Sequence, residues 1–223
     1  MKKIILIETS TALCSVALAE NGAVTAYRES SAPKAHASLT AVFVQEVLAE
    51  RGLKLSDCDA VCVSKGPGSY TGLRVGVSTA KGLCFGSGLP LIAVGTLDTL
   101  VAQADGDYRF IIPMIDARRM EVYACVFENG VQITETEPVI VDEHGFAEYL
   151  EQGPCLFIGD GAGKCADVIR HPNAHFCQCN PKASAMLSPA MDALNEKRFE
   201  DVAYFEPFYL KEFVATVSKK KLF

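Results

Sequence analysis

Four side chains of metal-binding type cluster within nine residues in the second half of the chain: His171, His175, Cys177 and Cys179. Histidine and cysteine are common protein ligands of zinc. If residues 175–179 form a strand, the last three lie on one face, about 6–7 Å from one to the next, because a strand rises ~3.3 Å per residue. That spacing suits two ligands of one ion better than three. The pattern therefore favours a partly buried strand that carries thiols over a metal site.

Two further motifs resemble known sites but lack an essential part. The glycine loop at residues 159–164 is not a phosphate-binding P-loop, because Ile158 replaces the first glycine and Cys165 replaces the final serine or threonine. His36 lies near the start of a predicted helix, where a second histidine four residues on would let one face hold a metal ion. Thr40 occupies that position. We therefore expect His36 to cap or pack the helix start rather than bind a metal.

Composition restricts the class of protein. The 223 residues are 49% apolar, which is enough for one large domain or two small ones with a proper core. The net charge is −6 and no long basic run is present, unlike a free-standing nucleic-acid binder. Nine scattered cysteines, an odd number, indicate reduced thiols in a cytoplasmic protein. No stretch is long and apolar enough to span a membrane, and the apolar run near the N-terminus stops at Glu8, too short for a secretion signal.

The glycine-rich stretch 64–86 organises the first half of the chain. It holds six of the 17 glycines and predicts a strand at 60–63, a tight loop at 65–69 and a helix at 72–86. Glycines inside a helix cost about 1 kcal/mol each, so they indicate a place where another element comes close. Small residues four positions apart form two stripes along this helix, Gly72–Gly76–Ala80 and Ser78–Gly82–Gly86, so other elements can contact it closely on two sides.

A second predicted helix, residues 36–51, is apolar around most of its circumference. Its own sheet can cover only half of it, so the rest needs a neighbouring helix, a second subunit or both. A core helix packed only on its own sheet is the alternative. The residues predicted to meet a partner are His36, Leu39, Thr40, Phe43, Val47, Gly72, Leu73, Gly76 and Ala80.

Strands and turns occur in the same order twice. Predicted strands at 4–7, 14–18 and 23–27 are followed, after a polar break at 104–107, by strands at 110–115, 121–127 and 131–134. Each set contains an Asn-Gly hairpin turn. The repeat predicts two similar α/β lobes, residues 1–104 and 105–223, with residues 204–223 able to dock back on the first lobe.

Three segments carry a resemblance to a known family. GPGSYTGLRVGVSTAKGL at 66–83 is similar to the signature of the TsaB (YeaZ) family, and IDARRMEVY at 115–123 resembles its second recognisable segment. The aromatic-Pro-x-Tyr-Leu-basic pattern at 205–211 is a third similarity. The resemblance implies the actin-like fold shared with sugar kinases and heat-shock proteins. It also implies a non-catalytic partner subunit in bacterial synthesis of threonylcarbamoyladenosine in tRNA.

The resemblance also implies a cleft between the lobes, with ATP or ADP as its candidate ligand there or at a subunit interface. The residues predicted to line it are Glu8, Ser10, Asp116, Arg118, Gly159 and Gly161. The family usually has aspartate where this chain has Glu8. Glutamate is one methylene longer, so the contact to a metal-bound water that a kinase-like relative implies at this position does not transfer directly to Glu8. The alternatives are a solvated turn at Glu8, an Asp116–Arg118 pair at a hairpin tip, and a simple tight turn at the glycines.

The function implied by the resemblance is that of a scaffold. The two helices would bundle with the same two helices of the catalytic subunit TsaD, the ATPase TsaE would join, and tRNA would be bound only through the complex. The isolated chain is expected to form a homodimer through the same helices. The alternative is a nucleotide-dependent phosphotransferase or hydrolase with Glu8, Asp116 and Arg118 in its cleft.

Overall fold

The computed structural model describes residues 2–211, which form two lobes. The first lobe contains a five-stranded sheet in the order β3-β2-β1-β4-β5, antiparallel among β1 to β3 and parallel from β1 through β4 to β5. Its elements are β1 (Lys3–Glu8), β2 (Cys14–Glu20), β3 (Ala23–Ser30), α1 (Ala35–Glu50), β4 (Ala60–Gly66), α2 (Tyr70–Ser87), β5 (Leu91–Gly95) and α3 (Thr96–Val101). The apolar run that predicted β1 is completely buried from Ile4 to Ile7.

The second lobe repeats this arrangement around the sheet path β10-β7-β6-β11-β12. Again the first three strands are antiparallel and the last three parallel. Its elements are β6 (Phe110–Asp116), β7 (Glu121–Ala124), β8 (Phe127–Glu128), β9 (Val131–Gln132), β10 (Glu137–Ile140), α4 (Ala147–Leu150), β11 (Cys155–Gly159), α5 (Ala162–Ala166), β12 (Ala174–Gln178) and α6 (Leu187–Glu196). The matching strand orders confirm the predicted α/β fold with two similar lobes.

The second antiparallel meander differs from its prediction. The expected strand at 121–127 is divided, because β7 pairs with the end of β6 and β8 pairs with its beginning. The third strand of the sheet is β10, which pairs with β7, whereas the expected strand at 131–134 is reduced to β9 in a small hairpin with β8. Between β10 and β11 the only α-helix in the described chain is the single turn α4, and Phe146 before it adopts a left-handed conformation.

The chain returns to the first lobe well before residue 204. Ala183 and Met186, in a short 3₁₀ turn, and Ala190 and Ala193 of α6 are buried against β1, β2, β4 and β5. This core lies on the face of the first sheet opposite α1 and α2, since alternate residues of β1 belong to the two cores. The residues after α6, 197–211, are called the tail below, and they continue along the first lobe. There Glu200 N donates to Leu91 O, and Phe205 packs against the core between the first sheet and helices α1 and α2. Of the segment expected to dock, residues 212–223 lie outside the described range.

Helix α3 lies where the lobes meet. Leu97 and Leu100 pack with Ile115, Leu156 and Ile158 of the second sheet, although α3 follows directly from β5 of the first. No helix within residues 2–211 is both long and apolar enough to cross a membrane.

Candidate partner surface and interlobe cleft

Helices α1 and α2 lie side by side on one face of the first sheet, and their inner sides are covered by the chain itself. Phe43, Val47 and Thr40 of α1 are buried, and the Thr40 hydroxyl donates to His36 O at 2.6 Å. His36 Nε2 is hydrogen-bonded to Thr11 O at 2.9 Å, which ties the first turn of α1 to the loop after β1. Leu39 is half-buried against the same core.

The first glycine stripe of α2 faces inward. A Cβ at Gly72 would overlap Thr9 O, and a Cβ at Gly76 would overlap Thr9 Oγ1. The Thr9 hydroxyl reaches across this gap and donates to Gly72 O at 2.9 Å. The element that these glycines admit is therefore the protein's own β1–β2 loop.

This geometry corrects part of the predicted partner contact. Buried residues cannot supply a surface without unpacking the lobe. The predicted interface residues that are buried in the chain itself are Thr40, Phe43, Val47, Gly72, Leu73, Gly76 and Ala80. The spacing of the stripe was read correctly as a close approach, but its orientation as a partner contact was wrong.

The second glycine stripe faces solvent and forms part of what we call the outer face. Ser78, Gly82 and Gly86 are exposed, and a Cβ at either glycine would meet open space. Phe85 beside them is 88% exposed, and Val42 of α1 is 40% exposed. The outer face consists of the exposed residues Ala37, Ala41, Val42 and Gln45 of α1 and Thr71, Arg74, Ser78, Gly82, Phe85 and Gly86 of α2.

A cleft of about 660 Å³ separates the two lobes. Ser10 lines it from the loop after β1, and Asp116 and Arg118 line it from the loop after β6. These are three of the six residues predicted to form it. Asp160, which the sequence reasoning did not single out, lines it as well, and the end of the tail at residues 208–211 forms part of its wall.

The other three predicted cleft residues have packing roles. Glu8 is fully buried, and its Oε1 accepts from Ser10 N at 2.7 Å and from Ser64 Oγ at 2.8 Å. Burial raises the pKa of the Glu8 carboxyl, and its Oε2 has no hydrogen-bond partner among the described residues. A Cβ at Gly159 would overlap Met114 O, and one at Gly161 would lie 2.9 Å from Val122 Cγ1. These positions were therefore wrongly predicted to line the cleft.

The cleft wall of the second lobe carries two neighbouring carboxylates. Asp160 Oδ1 accepts from Asp116 N at 2.8 Å, and burial raises the pKa of Asp160 to about 6, assisted by the Asp116 charge. Partial burial also acts on Asp116, but the Lys164 ammonium at 2.6 Å and the Arg118 N–H outweigh it and leave the Asp116 pKa below its ordinary value. Lys164 also donates to Arg119 O and Glu121 O. Both Asp116 and Lys164 thus have internal partners.

The tail spans the mouth of the cleft. Lys81 of α2 donates to Ala203 O at 3.1 Å and Phe205 O at 3.0 Å, and Phe208 N donates to Lys65 O at 2.7 Å. The rings of Tyr209 and Tyr70 lie 4.8 Å apart, and the Arg74 guanidinium lies 4.3 Å from the Tyr70 ring centre. Lys211 forms an ion pair with Glu121 on the second lobe. The tail therefore connects α2 with β7.

The histidine and cysteine cluster does not assemble a metal centre. Within residues 2–211, no three His, Cys, Asp or Glu side chains come together as metal ligands. His171 Nδ1 accepts from Asn173 N at 3.2 Å, and the His175 ring lies 5.3 Å from that of Tyr108.

Comparison with known proteins identifies the family. The family model described as TsaD, tRNA N6-adenosine threonylcarbamoyltransferase, matches residues 29–153, more than half of the chain. The Escherichia coli tRNA threonylcarbamoyladenosine biosynthesis protein TsaB is 33% identical over 96% of this chain and 96% of its own. YeaZ from Pseudomonas aeruginosa superposes with a TM-score of 0.81 at 28% identity, covering 94% of this chain and all of that one. The tRNA N6-adenosine threonylcarbamoyltransferase of Paracoccus denitrificans is 48% identical over 66 residues, 30% of this chain and 18% of that enzyme. The chain therefore belongs to the TsaB family, whose curated members are named for tRNA threonylcarbamoyladenosine biosynthesis.

Proposed function

We propose that this chain is the non-catalytic subunit of a complex that transfers threonylcarbamoyl to adenosine in tRNA, and that its outer face binds a TsaD-like catalytic subunit. The observation that carries the proposal is the outer face itself. It is a helical surface with small residues at Ala37, Ala41, Ser78 and Gly82 and an almost fully exposed phenylalanine at Phe85.

The shape of the outer face suits helix-to-helix contact. Small residues at i and i+4 allow two helix backbones to approach closely, and the open space at Gly82 and Gly86 leaves room for a partner's side chains. Burying Phe85 would gain about 1.5–3 kcal/mol, a typical value for one large apolar side chain. The occupant we propose is the corresponding helix pair of the TsaD-like subunit. The family-model match to TsaD over residues 29–153 supports this choice, because it includes both helices and so indicates similar sequence there.

The proposed lack of catalysis rests on the engagement of the candidate catalytic groups. Glu8 is fully buried, and its carboxylate accepts a hydrogen bond from the backbone N–H of Ser10. Asp116 is paired with Lys164, and His36 is bonded to a backbone carbonyl and followed by a buried threonine where a second ligand would be needed. With acidic net charge as well, the chain is better suited to hold an RNA-binding partner than to bind tRNA alone. A TsaE-like ATPase is proposed to join the same complex.

Reconstitution tests the proposal. The chain and the TsaD-like subunit of the same organism should elute together, and threonylcarbamoyl transfer to tRNA should require both, with none from this chain alone. The double variant Asp116→Asn/Asp160→Asn should keep the transfer rate within a factor of two, because these carboxylates do no chemistry in the proposal. Separate elution, or transfer by this chain alone, would contradict it.

The second candidate function is that of a nucleotide-dependent phosphotransferase or hydrolase, with the cleft as its active site. Its volume and the Asp116, Asp160 and Arg118 side chains favour that function, and ATP or ADP is the ligand to test. The burial of Glu8 counts against it, because among the described residues that line the cleft none from the first lobe is a carboxylate opposite Asp116. ATP turnover by the isolated chain, abolished in Asp116→Asn/Asp160→Asn, would favour this candidate over the scaffold.

A further inference from the structure

Two of the nine cysteines differ from the rest in their exposure. Cys177 is exposed and Cys179 is half-buried. The other seven are buried, and burial raises the pKa of each of their thiols; they are Cys14, Cys58, Cys62, Cys84, Cys125, Cys155 and Cys165. All nine lie within the described residues. The two thiols that an oxidant in solution can reach are therefore separated by a single residue.

The two thiols are also neighbours in space. Cys177 belongs to the edge strand β12 and Cys179 follows its last residue, so both side chains leave the strand on the same side. Burial raises the pKa of Cys179 to about 11, and the neighbouring Cys177 thiol adds to the shift. Cys177 opens into a pocket of about 580 Å³ that Gln103, Tyr108 and His175 also line, through which a small oxidant can approach.

We propose that Cys177 and Cys179 form a reversible disulfide and that a hydroperoxide is the oxidant. The Cys177 thiolate attacks one peroxide oxygen and forms an S–O bond, the O–O bond breaks, and the other oxygen leaves as hydroxide, which the released thiol proton converts to water; Cys177 is then a sulfenic acid. The Cys179 sulfur then displaces the sulfenic hydroxyl as water and closes the S–S bond. Two thiols and one hydrogen peroxide thus give one disulfide and two waters. Cys177 is the reactive residue because it is exposed, and Cys179 is the resolving residue because it lies beside it.

The local backbone predicts that this disulfide would be easy to reduce. Two residues of an extended strand are about 6.6 Å apart, from ~3.3 Å of rise per residue, which is near the upper limit of Cα separation for a disulfide. Closure is feasible because Cys179 lies just beyond the end of β12 and its N–H donates to Gly159 O, at the end of the neighbouring strand β11, over a long 3.3 Å. A bond closed against strain has a higher reduction potential than a relaxed structural disulfide, so thiols reopen it.

The position of the pair gives its oxidation a structural consequence. The chain passes from the second lobe to the first just after Cys179. Gln103, two residues after α3, forms hydrogen bonds to this connecting segment. Gln103 Nε2 contacts Cys179 Sγ at 3.6 Å and donates to Asn180 O at 3.1 Å, and Gln103 Oε1 accepts from Lys182 N at 2.8 Å. Moving Cys179 toward Cys177 would disturb these contacts of Gln103 with Cys179, Asn180 and Lys182. The disulfide is therefore expected to alter the join between the lobes.

Thiol mapping of the full chain tests the proposal. The native protein is treated with hydrogen peroxide, alkylated under denaturing conditions and analysed by mass spectrometry. We expect the loss of two hydrogens, an intact disulfide in the peptide containing residues 177–179, and seven alkylated cysteines. Dithiothreitol should restore nine alkylated cysteines. Two thiols still free at 177 and 179, a covalent dimer, or Cys177 carried to sulfinic acid while Cys179 remains a thiol would overturn the proposal.

Two matched variants assign the roles of the cysteines. Cys179→Ser should stop at the sulfenic acid, which dimedone traps at Cys177. Cys177→Ser should leave Cys179 reduced under the same peroxide dose, because the exposed thiol has been removed. If dimedone labels Cys179 in Cys177→Ser as fast as Cys177 in Cys179→Ser, the assignment of Cys177 as the reactive residue is wrong. Circular dichroism of both variants confirms that each is folded before oxidation.

Discussion

Substituting alanine for two glycines of the same helix should have opposite effects on stability. In Gly82→Ala the new methyl group meets open space, and the helix gains intrinsic propensity of about 1 kcal/mol. In Gly76→Ala the same gain applies, but the methyl group overlaps Thr9 Oγ1. Overpacking a core costs about 1–3 kcal/mol. Displacing Thr9 also endangers its hydrogen bond to Gly72 O, worth about 1 kcal/mol. The net result should be a loss of about 1–3 kcal/mol.

Urea unfolding followed by far-ultraviolet circular dichroism measures both effects. The midpoint should rise for Gly82→Ala and fall for Gly76→Ala, with the denaturant dependence unchanged. Thr9→Ala in the Gly76→Ala background should recover part of the loss, because it removes the overlapping hydroxyl; the pair is close enough to be coupled. An equal or higher midpoint for Gly76→Ala than for the unaltered protein would refute the inward orientation of the first stripe.

Three further predictions concern the cleft, the tail and self-association. The folded-state pKa of Asp160 is raised from 3.8 to about 6, so ionising Asp160 lowers the free energy of unfolding as pH rises from about 4 to 6. Asp160→Asn should therefore be more stable than the unaltered protein by about 1–3 kcal/mol at pH 7 and by almost nothing at pH 3. Thermal unfolding at the two pH values measures the difference. Lys81→Ala removes two hydrogen bonds to the tail. Amide hydrogen exchange of residues 203–211 should therefore accelerate roughly tenfold, which corresponds to about 1.4 kcal/mol, while exchange in β4 is unchanged. Equal acceleration in β4 would mean that the whole lobe was destabilised. The isolated chain should sediment as a dimer at high concentration and Ser78→Arg as a monomer, whereas a monomer at every concentration would rule out self-association through the outer face.

The sequence predicted the architecture well where a single physical signal dominated. The uninterrupted apolar run Ile4–Ile7 could only be a buried strand, and the two Asn-Gly turns marked both hairpins. The second meander was harder to predict, because β7 and β8 interrupt one apparently continuous stretch where β6 changes its pairing partner. Pairing changes of this kind depend on the partner strand and leave no mark in local composition.

The candidate site was only partly predictable for a similar reason. Both glycine stripes were visible, but which one faced inward depended on Thr9, a residue more than 60 positions from Gly72 in the chain. Glu8 was expected in the cleft because the resemblance to the actin-like fold implies that the first turn faces it, yet Glu8 ends β1 and its carboxylate accepts a hydrogen bond from Ser64 on a neighbouring strand. Asp160 was missed because it looked like part of a glycine turn. A signal was available: it stands directly after a parallel strand, where ligand-facing residues of open α/β sheets are found.

The most direct test of the account is the affinity of the TsaD-like subunit for two matched serine-to-arginine variants. Ser78 on α2 and Ser188 on α6 are both exposed, and their helices lie on opposite faces of the first sheet. Isothermal titration should show binding weakened at least tenfold, or about 1.4 kcal/mol, for Ser78→Arg and unchanged for Ser188→Arg. Equal affinities for the two variants, or a loss confined to Ser188→Arg, would contradict the assignment of the outer face as the partner surface.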